Sequence, residues 1–267
     1  MKILIQDINF SYGSHDVLQG VNMEISPGQV VCIAGPNGSG KSTLLKCLAR
    51  VLIPKSGVVY LDGREISRLG SRELARLAGY VPQNGGEIFP FTVLEIVLMG
   101  RKPHLTWGVT RHDLEVVANV LKFMGIGEMA QRSLAELSGG QKQKVFIARA
   151  LAQEPQVFLL DEPTSSLDIK HQLEVLEVVK ALARRQSYVV IMVLHDLNLA
   201  ARFSDHIVML KDGRIYAAGK PRAVVTRENI GAVYGVEALI MESSFGPYVI
   251  PVGPVQGSDI CLQAAAF

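Results

Sequence analysis

The sequence predicts an α/β fold built on a mostly parallel β-sheet. Short apolar runs alternate with helical patterns along the chain, and continuous apolar runs are typical of parallel strands that are covered on both faces. Three runs carry this prediction: QVVCIA at 29–34, VFLL at 157–160 and YVVIMVL at 188–194. Each of them is followed by glycine-rich or polar residues, which are typical of loops.

The elements around these runs follow from local patterns. Residues 3–12 and 21–25 alternate between apolar and polar side chains, which predicts two strands. The segment KSTLLKCLARVL at 41–52 follows a glycine-rich loop and is predicted as a helix. Strands are also predicted at 57–61 and 79–82, with an amphipathic helix between them.

Residues 92–153 have the pattern of a helical insert, because strand signals are absent across this stretch. Thr92 with Glu95, and Thr110 with Asp113, have the spacing of a helix N-cap with an acid three residues later.

After the insert, a helix is predicted at 168–186 and a hairpin at 206–218, which turns at an Asp-Gly pair. A second small hairpin is predicted within 236–252. The tail from Gly253 is weakly patterned, and no element is assigned to it.

The composition indicates a globular protein and excludes some classes of function. The 27 Lys and Arg residues nearly balance the 25 Asp and Glu residues, so the charge gives no case for a nucleic-acid-coating protein. Cys32, Cys47 and Cys261 lack metal-ligand spacing. Neither a signal peptide nor the ~18 apolar residues of a spanning helix is recognised. We therefore expect another chain to supply any membrane span.

The strongest motif is GPNGSGKS at 35–42, which fits the phosphate-binding pattern G-x-x-x-x-G-K-[ST] between a predicted strand and a predicted helix. Backbone N–H groups of this loop and of the helix N-terminus cradle phosphates. Lys41 would reach the β- and γ-phosphates, and the Ser42 hydroxyl would ligate Mg²⁺. The residues assigned to the nucleotide phosphates are Asn37, Gly38, Ser39, Gly40, Lys41, Ser42 and Thr43.

The apolar run at 157–160 ends in two acids that could complete a nucleotide site. Asp161 is placed to bind Mg²⁺, often through water, and Glu162 is placed to polarise an attacking water. Solvated acids at a strand end are the alternative interpretation. The phosphate-binding motif favours the functional one.

The third motif is LSGGQ at 137–141, directly before a predicted helix. Ser-Gly-Gly at a helix N-terminus is an anion site, although alone it could be only a cap. Together with the loop at 35–42 and the acids at 161–162, in this order, it makes the chain resemble the ATP-binding-cassette (ABC) ATPases over essentially its whole length. The nucleotide-contacting residues implied here are Ser138, Gly139, Gly140 and Gln141.

The resemblance assigns roles to four further residues. Tyr12 would stack on adenine, or alternatively belong to a strand core. Gln83, in YVPQ, would touch Mg²⁺ and the attacking water and sense the membrane partner, or be an exposed loop amide. Asp168 would end the SSLD loop that crosses between subunits, and it could also cap a helix. His195 would contact the γ-phosphate. The other histidines are expected at the surface: His15, His104, His112, His171 and His206.

The resemblance also implies an architecture. It is a P-loop ATPase fold with a mostly parallel core sheet, an antiparallel β subdomain and a helical subdomain inserted at about 84–153. The ATPase domain would span 1–235 and a C-terminal extension 236–267. The family places LSGGQ of one subunit over the γ-phosphate held by the other. The resemblance therefore implies a head-to-tail homodimer that binds ATP and Mg²⁺.

Within the family, the lack of a fused span favours an importer subunit at the cytoplasmic face of the membrane. Its partners would be a separate polytopic permease and, indirectly, a substrate-binding protein. VLMGRKPHL at 97–105 and the extension past Tyr234 resemble the ATPases of iron–siderophore, haem and vitamin B12 importers. Neutral drift could explain both features. A molybdate or tungstate importer ATPase and a non-transport cytosolic ABC ATPase remain the alternatives.

The segment 84–104 is predicted to receive a short cytoplasmic helix of the permease. Two glycines and the apolar cluster IFPF at 88–91 follow Gln83, which suits a hinge beside a docking cleft. The alternative is that these side chains pack the insert onto the sheet.

Overall fold

The computed structural model describes residues 1–83, 91–165, 167–186 and 188–255. The predicted hinge and the first three residues of the apolar cluster at 88–91, with Phe89, lie outside these residues, as do Ser166 and the tail that contains Cys261. The strands are β1 Ile3–Tyr12, β2 His15–Ile25, β3 Val30–Ala34, β4 Ser56–Leu61, β5 Arg64–Glu65, β6 Ala78–Val81, β7 Val157–Asp161, β8 Val189–Val193, β9 His206–Lys211, β10 Arg214–Gly219, β11 Val236–Ser243 and β12 Gly246–Pro254. The helices are α1 Lys41–Leu48, α2 Ser71–Leu77, α3 Val93–Met99, α4 Arg111–Phe123, α5 Gly139–Ala152, α6 Ile169–Gln186, α7 Leu197–Phe203, α8 Pro221–Val224 and α9 Arg227–Tyr234.

A six-stranded sheet in the order β10-β9-β3-β8-β7-β6 forms the centre of the molecule. All its neighbouring strands are parallel except β10, which pairs antiparallel with β9. Every residue of β3, β7 and β8 is buried, because helices or a second sheet cover both faces. The prediction of a mostly parallel sheet from the apolar runs is confirmed.

Two smaller antiparallel sheets accompany the central one. β2, β1, β4 and β5 form a four-stranded sheet, and β11 pairs with β12 as a hairpin. Both predicted hairpins are present, and β9 and β10 turn through Asp212 and Gly213 in the left-handed region. The first helix is shorter than predicted: it ends at Leu48, and Arg50 is already left-handed with φ 53°.

The hydrophobic core has two halves, one on each face of the six-stranded sheet. Because side chains alternate along β3, Val31 and Ile33 face one half and Cys32 faces the other. The first half packs α1 and the four-stranded sheet. The second packs the helices of the 92–153 region and the inner face of the β11–β12 hairpin, including Ala238 and Val249.

The 92–153 region is helical, as predicted, and both predicted caps are present. Thr92 and Thr110 each accept a hydrogen bond from the backbone N–H three residues later, and Glu95 and Asp113 bond back to the cap residue. In the described part of the chain, no helix has the length and apolar character that crossing a bilayer requires.

The sequence did not indicate a buried charge network inside this region. The guanidinium of Arg101, which is only 1% exposed, donates to Asp113 Oδ1 at 2.9 Å and to the Ala152 carbonyl at 2.7 Å, and it pairs with Glu154 at 2.6 Å. The other Asp113 oxygen accepts from the backbone N–H and hydroxyl of Thr110. These Thr110 bonds, followed by Arg101, hold the pKa of Asp113 well below its usual range.

We predict that Asp113→Asn lowers the free energy of unfolding at pH 7 by about 3 kcal/mol, because removing one partner leaves Arg101 buried and poorly compensated. The depressed pKa stabilises the wild type fully above the unfolded carboxyl's pKa of about 3.9, and this stabilisation is lost as the pH falls further. The variant should therefore lose less stability between pH 5 and pH 2, as measured by urea denaturation.

The matched control is Glu115→Gln, because Glu115 pairs with Arg111 on the exposed face of the same helix. An exposed pair at this spacing contributes about 0.3–0.5 kcal/mol. Equal losses for the two variants would contradict a stabilising role for the buried network.

Candidate nucleotide-binding site

The candidate site lies at the carboxyl edge of the central sheet. Parallel pairing places Val81 opposite Leu160, and Val193 opposite both Asp161 and Ile33. The four strands β3, β6, β7 and β8 therefore end side by side. Ligands of open parallel sheets bind at this edge, where the loops leave the strands.

The predicted residues enter this edge from four different strands. The glycine-rich loop at 35–40 follows β3, and Gln83 follows β6. Glu162 directly follows β7, and His195 comes two residues after β8. Residues up to 160 positions apart in the sequence thus lie in one place because the sheet register aligns their strands.

The glycine-rich loop bends tightly into α1. Gly40 has φ +99°, and a Cβ there would lie 2.8 Å from the carbonyl oxygen of Val17, so only glycine fits. Lys41 is 5% exposed, and its ammonium donates to the carbonyls of Gly35 at 2.9 Å and Pro36 at 2.8 Å. Its side chain is thus folded back over the loop.

The charges around Lys41 favour an anion. Burial lowers the pKa of Lys41, and the nearby carboxylates of Glu162 and Asp161 oppose that shift. The buried Ser39 hydroxyl has no hydrogen-bond partner among the described residues. A free hydroxyl, a buried cation and the N-terminus of α1 at one loop form a donor set that suits phosphate oxygens.

Asp161 and Ser42 form a pair of oxygen ligands. The Ser42 hydroxyl donates to Asp161 Oδ1 at 2.7 Å, and Asp161 is 2% exposed. The Tyr80 hydroxyl donates to the other oxygen at 3.3 Å, and burial raises the pKa of Tyr80. Mg²⁺ is usually held by one or two protein oxygens together with substrate phosphates, so this pair fits that ion. Sequence reasoning missed Tyr80, although it lies in the YVPQ segment.

Glu162 is held by Gln83 and His195. The Gln83 amide donates to one carboxylate oxygen, and His195 Nε2 lies 2.6 Å from the other. The Glu162 side chain is 10% exposed, whereas that of His195 is 47% exposed. Glu162 has φ +50°, a costly conformation for a residue with a side chain, and such conformations cluster at functional sites.

Tyr12 lies at the end of β1, on the sheet that borders the loop. Its ring is 51% exposed and packs edge-on against Phe10, with the ring centroids 4.9 Å apart. The ring is thus open to a planar ligand rather than enclosed in the strand core. β2, which pairs with β1, supplies the Val17 carbonyl that faces Gly40.

The LSGGQ segment forms a separate cluster. Ser138 caps the 14-residue helix α5 through a capping box with Gln141, and Ser138 and Gly139 are exposed. Asp168 accepts hydrogen bonds from the backbone and ring of His171, as a cap at this position would. Within the described ranges, no hydrogen bond or ion pair joins residues 138–141 to the phosphate loop or to Glu162.

The expectation that the remaining histidines lie at the surface is partly wrong. His15 and His112 are exposed, but His104, His171 and His206 are half-buried. His104 contacts the Gln153 carbonyl, and His171 of α6 packs against Gly140 of α5. The spacing of these histidines in the sequence does not indicate these tertiary contacts.

Comparisons with known proteins agree with this geometry. The model of the ABC transporter family matches residues 18–165. The ferric enterobactin transport ATP-binding protein FepC of Escherichia coli is 41% identical over 252 residues, which cover 93% of each chain.

Solved structures show the same fold. A metal-chelate type ABC transporter in an inward-facing conformation superposes with a TM-score of 0.83 at 30% identity, covering 94% of this chain and 96% of that one. A dimeric structure of a bacterial ABC transporter cassette has a TM-score of 0.73 at 32% identity, with 82% of this chain and 99% of the other covered.

The arrangement of the phosphate loop, Asp161 and Glu162 agrees with the family match, with the FepC relative and with the shared P-loop ATPase fold. The chain belongs to the ABC transporter family, as an ATP-binding subunit whose ATP hydrolysis is coupled to transport.

Proposed function

We propose that this chain powers the import of a metal chelate, such as an iron–siderophore, haem or cobalamin, through a separate membrane permease. The observation that carries the energy-coupling role is the Glu162 carboxylate, which Gln83 and His195 hold at the same sheet edge as the Lys41 loop. The cargo class is supported by the FepC relative and by the metal-chelate type transporter. The chain would act at the cytoplasmic face, bound to the permease.

Some residues of the site bind the nucleotide, and others take part in proton transfer. The backbone of 37–43 and the Lys41 ammonium bind the phosphates of ATP, and Tyr12 offers its ring to the base. Ser42, Asp161 and Gln83 would hold Mg²⁺, which supplies charge stabilisation when bound. Glu162 accepts the proton of the attacking water. His195 and Gln83 orient the Glu162 carboxylate and contact the γ-phosphate.

We propose further that two copies pair head to tail. The exposed Ser138-Gly139 turn at the N-terminus of α5 is an anion site that lacks a hydrogen bond to the phosphate loop of the same chain in the described residues. A second copy would bring its phosphate loop to this turn. The dimeric cassette among the solved relatives supports the pairing of two copies.

The permease surface is proposed along the groove between α2, α3 and α5. This cavity of about 620 Å³ is lined by Arg72, Met99, Lys102, Arg149 and neighbouring residues. Met99 is 43% exposed, and Arg72 and Arg76 both donate to the Pro103 carbonyl, which fixes one wall. Four residues of the predicted 84–104 docking segment line the groove: Met99, Gly100, Lys102 and Pro103. The division into an ATPase domain at 1–235, a helical subdomain at 84–153 and an extension at 236–267 is likewise a proposal.

We predict that Lys41→Ala reduces steady-state ATP hydrolysis by about 100-fold or more, because it removes charge-assisted hydrogen bonds to the phosphates. The matched control is Lys122→Ala, since Lys122 is exposed on α4. In cells, the Lys41 variant should lose uptake of radiolabelled ferric siderophore, haem or cobalamin. Retained uptake of all three with loss of molybdate uptake would contradict the metal-chelate assignment.

We predict that Glu162→Gln retains ATP binding but nearly abolishes hydrolysis, because the amide cannot accept the proton of the water. The unhydrolysed ATP should then trap a dimer through the Ser138–Gly140 turn. Sedimentation velocity with Mg-ATP would measure the dimer, with exposed Glu136→Gln as the control. A Glu162→Gln chain that binds ATP and stays monomeric at saturation would argue against composite sites.

We predict that Met99→Glu leaves folding and ATP binding intact, since Met99 is already 43% exposed, but weakens recruitment to the membrane. The added carboxylate would change the charge and shape of the surface that is proposed to receive the permease helix. The membrane-bound fraction of the tagged chain in its own cells is the measurement. Leu239→Glu, at an exposed site on the C-terminal hairpin, is the control; equal membrane binding by both would exclude the groove.

A further inference from the structure

One half-buried side chain joins the two segments proposed to face a second subunit. His171 lies in the first turn of α6, directly after the SSLD loop, and its ring lies against the first turn of α5. Neither the phosphate loop nor the Glu162 cluster accounts for this position.

The first contact is with the backbone of Gly140. A Cβ built on Gly140 would lie 2.6 Å from both Cγ and Cδ2 of His171 and 2.9 Å from its Cβ. Real Cβ atoms do not approach so closely, so the ring occupies the space that any larger residue at position 140 would need. The second glycine of the Ser-Gly-Gly turn is thus covered by this imidazole.

The second contact is with Asp168. Its Oδ1 lies 2.7 Å from His171 Nδ1 and also accepts the His171 backbone N–H at 2.9 Å. The two bonds restrain the imidazole, since Nδ1 donates to the carboxylate while the ring packs on Gly140. One ring therefore ties the end of the SSLD loop to the start of α5.

Neighbouring bonds hold both ends of this connection. Ser165 donates its N–H and hydroxyl to the Glu162 carbonyl, at 3.2 Å and 3.0 Å, and the Gln172 amide donates to the Thr164 carbonyl at 3.4 Å. Further along the helices, Lys144 of α5 pairs with Glu174 of α6 at 2.6 Å. Within the described residues, hydrogen bonds thus join Ser165 to Glu162 and Thr164 to the first turn of α6.

We propose that His171 is a positioning residue, which holds the Ser138-Gly139-Gly140 turn and Asp168 in the one arrangement that fits the nucleotide of a second copy of this chain. This inference rests on the composite site proposed above. Backbone N–H groups that bind an anion must be fixed before it arrives, because a displacement of about 1 Å can cost about 100-fold in rate.

The test uses the Glu162→Gln background, in which ATP accumulates instead of being hydrolysed. His171→Ala removes both contacts, whereas His171→Asn can keep the bond to Asp168 but withdraws the ring from Gly140. His112→Ala is the matched control, because His112 is exposed in the first turn of α4. For each chain, the thermal midpoint, ATP binding by the dilute monomer and the ATP concentration for half-maximal dimer are measured.

The proposal predicts that both His171 variants bind ATP as monomers with the affinity of the parent. They should need about tenfold more ATP to reach half-maximal dimer, which is the size of effect expected from losing one charge-assisted hydrogen bond. The His112 control should match the parent. If His171→Ala unfolds, the ATP concentration that the folded His171→Asn chain needs to dimerise tests the proposal. A folded His171 variant that dimerises at the parent's ATP concentration overturns the proposal. A parent that stays monomeric with ATP bound overturns the composite site itself, and this inference with it.

Discussion

The parallel hydrogen-bond register between β3, β8, β7 and β6 is the constraint on which the candidate site depends. The phosphate loop follows β3, Gln83 follows β6, Glu162 follows β7 and His195 follows β8. The register places the carboxyl ends of these four strands side by side. A one-residue slip of a strand would turn its side chains to the opposite face and move its terminal residue along the edge. The complete burial of β3, β7 and β8 on two apolar faces makes such slips costly.

Burial also determines the strength of the electrostatics at this edge. Lys41 and Asp161 are both nearly inaccessible to water, so protein groups rather than solvent must stabilise each charge. Lys41 is held by loop carbonyls, which are weaker partners for an ammonium than phosphate oxygens are. The left-handed turn at Glu162 directs its carboxylate toward Gln83 and His195. The protein's own groups therefore hold the charged side chains of the site in place, which is what electrostatic stabilisation of phosphoryl transfer requires.

The two clusters proposed to form composite sites, the phosphate loop with Glu162 and the Ser138–Gly140 turn, are separate in space and are connected through the chain. Glu162 begins the segment that ends at Asp168, and Asp168 meets the start of α5 through the His171 ring. In a head-to-tail pair, the residues that hydrolyse one ATP would thus be linked within each chain to the turn that contacts the other. The half-buried position of His171, rather than any motif, is the observation behind this connection.

The sequence by itself determined the apolar strands, both helix caps of the insert, both hairpins and the three nucleotide motifs. These features depend on local periodicity or on short motifs, whose physical cause lies within a few residues. Tertiary structure alone decided what lies far apart in the chain. Examples are the Arg101–Asp113 network, the Tyr80 contact with Asp161, and the half-buried positions of three histidines expected at the surface. Whether a polar side chain faces solvent or a partner depends on how helices and strands pack against one another, and no local pattern encodes that.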